Sequence, residues 1–122
     1  MSTYKQHLDL ASERFQAAQE QFKDEKVHTA AHLFINAAIN YNNALCQKVL
    51  NKIPRHKAHS DTSYFQDLGE FLGDGLQKYK DSYEFLIGYK SEADYGTHLS
   101  INIAKQIYRR STTIREIVEH RL

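Results

Sequence analysis

The chain predicts an all-α, up-down bundle of four long helices and one short helix, and three observations carry that reading. From Lys26 to Leu50, apolar residues stand at Val27, Ala31, Phe34, Ala38, Tyr41, Leu45 and Val49, in steps of three and four. That is one face of an α-helix, repeated over many turns. No stretch alternates apolar and polar residues long enough to make a strand. One proline and 5 glycines in 122 residues leave long helices uninterrupted. Residues 1–122 predict a single domain; a chain of this length hides roughly 65% of its extended surface, enough for one core without staples.

The first helix is capped by Ser2 or Thr3 and runs to about Phe22, with a buried seam of Leu8, Ala11, Phe15, Ala18 and Phe22. Lys23-Asp24-Glu25 is a charged turn that makes the first two helices antiparallel neighbours, with Asp24 expected to cap the second. In the central helix Ala30, Leu33, Ala37 and Ala44 widen the apolar stripe, so it should touch neighbours on most of its girth. It must stop by Ile53, because Pro54 disfavours helical geometry in the residue before it. A third helix, capped by Ser60 or Asp61, has the seam Phe65, Leu68, Leu72 and Leu76, weakened by Gly69, Gly73 and Gly75. A short fourth helix fits Asp81 to Ile87, capped by Asp81 or Ser82 and closed by Gly88. Tyr89 to Gly96 reads as an ordered loop anchored by Tyr89 and Tyr95, with Asp94 satisfying loop amides and Tyr95 plugging the bundle end. Thr97 then caps a final helix towards His120. Its inner side is Ile101, Ala104, Ile107 or Tyr108, Ile114 and Val118; Lys105, Arg109, Arg110 and Arg115 form a basic outer side.

Composition narrows the function classes. Lys+Arg 16 against Asp+Glu 15 gives no global field that argues for nucleic acid. The single cysteine, Cys46, excludes an internal disulfide framework and fits a core position in a reducing compartment. No apolar run approaches the ~18 residues of a membrane span, and the first residues lack a basic run leading into an apolar segment. The expectation is a cytoplasmic protein that does not enter a membrane. Nucleophile elbows, phosphate-cradling glycine loops and zinc spacings are missing, so no cofactor is expected.

Two stretches carry chemistry. On the central helix His28, His32, Asn36, Asn40, Asn43 and Gln47 follow one another at three and four, and none is fully charged at neutral pH. An exposed polar face explains this row, and so does a face turned to a partner, a buried network or a ligand. His28 and His32, at i and i+4, have the spacing of a transition-metal clamp. No Glu-x-x-His pair stands at a matching inward spot, so structural polar contacts are expected of them. Pro54-Arg55-His56-Lys57-Ala58-His59 is the densest chemistry in the chain. Cleavage of RNA by its own 2′-hydroxyl needs a base, an acid and positive charge on the phosphate oxygens. Two imidazoles and an arginine fork supply these without a metal; a solvated basic loop has the same composition.

The order of elements adds a resemblance. A long first helix, an Ala-rich second helix with Ala37, Ala38, Tyr41, Ala44 and Leu45, a His-bearing loop and a Phe-containing third helix resemble the HEPN family. Tyr89-Lys90-Ser91-Glu92-Ala93-Asp94-Tyr95-Gly96 resembles the Tyr-Arg-x-x-Ala-Asp-Tyr-Gly stretch of several HEPN branches, and a long final helix follows it there too. The resemblance implies a homodimer with a cleft between protomers and RNA or a nucleotide as ligand. It implies metal-independent RNA cleavage in a toxin–antitoxin or defence system, or else a non-catalytic module that holds a partner protein such as an antitoxin or a nucleotidyltransferase. By that resemblance Arg55 would hold the scissile phosphate, His59 would move the proton and His56 would be the polar second position. Lys57 and the Asn36, Asn40 and Asn43 row would line the RNA- or nucleotide-binding cleft. The family signature places four to six residues between arginine and histidine; here three separate Arg55 from His59.

Overall fold

The structure is a computed structural model that describes residues 3–53, 63–96 and 99–122. Its elements are α1 (Tyr4–Lys23), α2 (Val27–Leu50), a 3₁₀ segment Ser63–Leu68, α3 (Gly69–Leu72), a 3₁₀ turn Gly73–Gly75, α4 (Leu76–Gly88), α5 (Lys90–Tyr95) and α6 (Ile101–Arg121). There is no strand among the described residues, and the four long helices are α1, α2, α4 and α6.

Thr3 starts α1 through a capping box: its hydroxyl accepts from the Gln6 amide at 3.3 Å, and its own N–H donates to Gln6 Oε1 at 2.8 Å. Ala11, Phe15 and Ala18 are buried along the expected seam. The turn into α2 differs from expectation. The backbone N–H of Asp24 bonds to Glu20 and closes α1, while Glu25 takes the left-handed conformation at φ 65°. Lys26 is therefore the residue before α2, with no side-chain cap. Reversing the chain in three residues requires one positive φ, and here a non-glycine supplies it.

Helix α2 is the axis of the bundle. From Phe34 to Cys46 only Asn36 and Asn43 escape full burial, so α1, α6 and the α3–α5 region surround it on nearly all sides. Alanines at 30, 31, 37 and 38 share one core with Ala11 and Ala18, and α1–α2 is the most extensive helix pair. Small side chains let the two backbones approach closely. Asn51, left-handed at φ 56°, ends α2 before Pro54.

The third helix is not continuous. Phe65, Leu68 and Leu72 are buried as their spacing predicts. The backbone is 3₁₀, then one α turn, then 3₁₀ again, with Gly73 at φ 55° where the helix breaks. Leu76 consequently opens α4, which is longer than the expected Asp81–Ile87 segment. Neither Asp81 nor Ser82 caps it: Asp81 accepts from the Gln77 amide at 2.8 Å, and Ser82 is buried within the helix.

The expected loop at 89–96 is the short helix α5, with Ala93 buried. Tyr95 is 85% exposed and plugs nothing, and Asp94 bonds to side chains of α2 and α5 rather than to loop amides. Helix α6 begins at Ile101, where the Ser100 hydroxyl accepts from the Ile103 N–H at 3.1 Å; Thr97 lies outside the described residues. Ala104, Ile107, Ser111, Ile114 and Val118 face the core. Ile101 is 47% exposed, since it stands beyond the last core layer. Arg115 stays partly exposed on the expected outer side, with its guanidinium over the Phe15 ring at 4.8 Å and its Nε 3.4 Å from Glu119. Among the described residues no helix is long and apolar enough to cross a membrane.

Candidate functional site

Arg55, His56, Lys57 and His59 lie outside the described residues. The amide row of α2 is described, and much of it is engaged internally. Asn36 donates to the backbone carbonyl of His32 at 2.8 Å. Asn40, only 7% exposed, accepts from Arg14 of α1 at 2.7 Å. The Asn43 carbonyl oxygen is buried without a hydrogen-bond partner among the described residues.

The most committed amide is a neighbour outside that row. Asn42 is fully buried, donates to the Tyr64 hydroxyl at 2.6 Å and accepts from the Tyr79 hydroxyl at 2.7 Å. Burial pushes the Tyr79 and Tyr83 phenols well above their ordinary range, so both stay neutral. Asn42 thereby joins α2 to the 3₁₀ segment and to α4, and fixes Tyr79 next to Lys78.

A second cluster joins α2 to α5. Asp94 Oδ1 lies 2.6 Å from His32 Nδ1, and the Lys90 ammonium donates to Oδ2 at 2.5 Å. Burial raises the Asp94 carboxyl, but the hydrogen bonds and charge of Lys90 and His32 outweigh it and hold the group below its ordinary value. The carboxylate accepts on both oxygens, which clamps α5 onto α2. Among the described residues no three His, Cys, Asp or Glu side chains are grouped to hold a metal.

The cationic side of α6 forms a third arrangement. Lys78 and Ser82, one turn apart on α4, face Gln106, Arg109, Arg110 and Thr113 of α6 across a hollow of about 240 Å³. The spacing explains the convergence: i and i+4 on α4, and i, i+3, i+4 and i+7 on α6, each describe one helix face. No carboxylate lines the hollow. Among the described residues the ion pairs join Asp94 to His32 and Lys90, and Arg115 to Glu119; none uses Lys78, Arg109 or Arg110. The Arg110 guanidinium sits 5.3 Å over the Phe85 ring, which orients its fork. The Thr113 hydroxyl donates to the Arg109 carbonyl at 3.2 Å, so donors for a bound anion come chiefly from the three cations. Three cationic side chains and no carboxylate thus converge on this hollow. The basic side of α6 was legible in the sequence; its pairing with Lys78 and Ser82 depends on how α4 docks.

Comparison with models of protein families, with curated proteins and with solved structures finds no match to this chain.

Proposed function

We propose that this chain binds RNA or a free nucleotide through phosphate, as a HEPN-like helical module that pairs as a homodimer. The observation that carries the reading is the convergence of Lys78, Arg109 and Arg110 on a hollow that no carboxylate lines. The chain as a whole is nearly neutral, at formal +1, so this convergence concentrates positive potential in one place. Arginine forks match phosphate oxygens two at a time, and lysine adds a point charge.

A stronger form of the proposal adds metal-independent cleavage: Arg55 holds the scissile phosphate, His59 moves the proton, His56 fills the second position and Lys57 contacts the backbone. A second reading is a non-catalytic module holding a partner protein such as an antitoxin or a nucleotidyltransferase. It is favoured by Tyr95 and Ile101, 85% and 47% exposed near the α5–α6 connection, since interface cores are rich in aromatic and apolar anchors.

Fluorescence anisotropy with labelled single-stranded RNA, in excess chelator, tests the binding form. Arg109→Ala removes one charge-assisted contact and should weaken binding by about tenfold; unchanged affinity would remove the groove from the proposal. The same samples test cleavage. Products from wild type but not from Arg55→Ala or His59→Ala support it, whereas equal cutting by all three sinks the enzymatic form and leaves binding standing.

A further inference from the structure

Helix α6 separates the cationic hollow from a larger one, and two residues belong to both. The second hollow, about 460 Å³, is lined by Phe22 of α1 and by Lys105, Tyr108, Arg109, Thr112, Thr113 and Glu116 of α6. Arg109 and Thr113, one turn apart, therefore form the crest between the two. Their linings differ in character. The smaller hollow has three cations and no carboxylate; the larger has an aromatic floor, the cations Lys105 and Arg109, and one carboxylate, Glu116. A ligand that spans the crest meets cations alone on one side, and aromatic rings with a hydrogen-bond-accepting carboxylate on the other.

The aromatic floor is rigid. Tyr108 stacks on the buried Phe34 ring, centroids 4.5 Å apart at 22°, and makes a T-shaped pair with Phe22 at 5.2 Å. Its hydroxyl accepts from the Gln19 amide at 3.1 Å. A ring held on these sides needs little further ordering when a second flat group lies beside it. Glu116 lines the same hollow as Tyr108, about two helical turns further along α6. Glu116 forms no ion pair among the described residues.

We infer that the two hollows together form a site for a single nucleotide, with phosphate on Lys78, Arg109 and Arg110, the base against Phe22 and Tyr108, and guanine preferred. The preference follows from Glu116. An ionised carboxylate only accepts hydrogen bonds, and guanine offers it two adjacent donors, N1–H and the 2-amino group. Adenine offers one donor beside an acceptor that the carboxylate repels. Uracil offers one donor between two carbonyl oxygens. Carboxylates are favoured partners of base amino groups for the same reason. This inference rests on the phosphate-binding reading and adds base recognition to it.

Titration calorimetry on the full chain with GMP, AMP, ribose 5-phosphate and inorganic phosphate tests it. GMP should bind about tenfold more tightly than AMP, and both more tightly than ribose 5-phosphate. Glu116→Gln, which replaces a pure acceptor by a mixed donor and acceptor on an exposed helix face, should bring the GMP-to-AMP ratio to about one, with unchanged helical circular dichroism. Four ligands of equal affinity would overturn the base site and leave the phosphate groove intact, as would a GMP preference that survives Glu116→Gln. Failure of every phosphate compound to bind would overturn both.

Discussion

Replacing Asn42 by alanine tests whether a single amide holds α4 in place against α2. The side chain is fully buried, and it donates to Tyr64 at 2.6 Å and accepts from Tyr79 at 2.7 Å. Truncation removes two hydrogen bonds and leaves the buried Tyr79 hydroxyl without its acceptor. Orphaning one buried polar group costs about 1–3 kcal/mol, and the small cavity adds about 1 kcal/mol. A total near 3 kcal/mol corresponds to a fall in Tm of roughly 10 °C for a chain of this length. Urea and thermal unfolding of Asn42→Ala, Tyr79→Phe and the double variant form the assay. Because Tyr79→Phe removes the group that Asn42 satisfies, the double variant should be more stable than the sum of the single losses predicts, by about 1–2 kcal/mol. Additive losses, or an Asn42→Ala protein within 0.5 kcal/mol of wild type, would refute the account of how α4 is fixed. The consequence reaches the groove, since Lys78 immediately precedes Tyr79 and loses its placement when α4 loosens.

Three further outcomes are expected. Glu25→Gly should stabilise the chain by roughly 0.5–1 kcal/mol, because glycine takes the positive φ of that turn without strain; denaturant unfolding reads this, and destabilisation would contradict the turn. Asp94 has its carboxyl held below the ordinary 3.8 in the folded state. Its contribution is therefore present above that value and disappears as pH falls through the lower folded value. Asp94→Asn should be less stable than wild type at pH 7, by about 1 kcal/mol or less given the half-exposed His32 partner, and the gap should shrink as the pH is taken below 3.8. A gap that widened in acid would mean the pair is not formed. Burial pushes the Cys46 thiol up to about 12, so a thiol reagent at pH 8 should leave the native chain unmodified and react once urea unfolds it.

Helices α1, α2 and α6 were legible in the sequence because their apolar residues repeat at three and four over four or more turns. Leu8 to Phe22 and Val27 to Val49 mark faces that are buried in the fold. The stretch from 63 to 96 was not, for a physical reason: Gly69, Gly73 and Gly75 lower the cost of several backbone states at once. Spacing alone does not say whether Leu76 ends one helix or begins the next. Asp94 was misplaced because its partner His32 lies 62 residues away, beyond the reach of local turn chemistry. Asn42 does not stand out within an amide-rich run; only its contact with two tyrosines distinguishes it. The basic side of α6 was visible, but Arg115 is engaged with Glu119 and the Phe15 ring, and the cationic hollow is completed by Lys78 from another helix. A groove between two helices is a property of their docking, which the pattern of either helix alone does not contain.

The central claim is that Lys78, Arg109 and Arg110 take phosphate. Binding of single-stranded RNA to wild type and to the Lys78→Ala/Arg109→Ala/Arg110→Ala variant, measured across a range of salt concentrations, tests it most directly. Three phosphate contacts on a single strand predict that log K falls with log salt at a slope of about −2 for wild type, and that the variant loses most of both the affinity and the slope. An RNA affinity that is indifferent to salt, or equal in the two proteins, would contradict it.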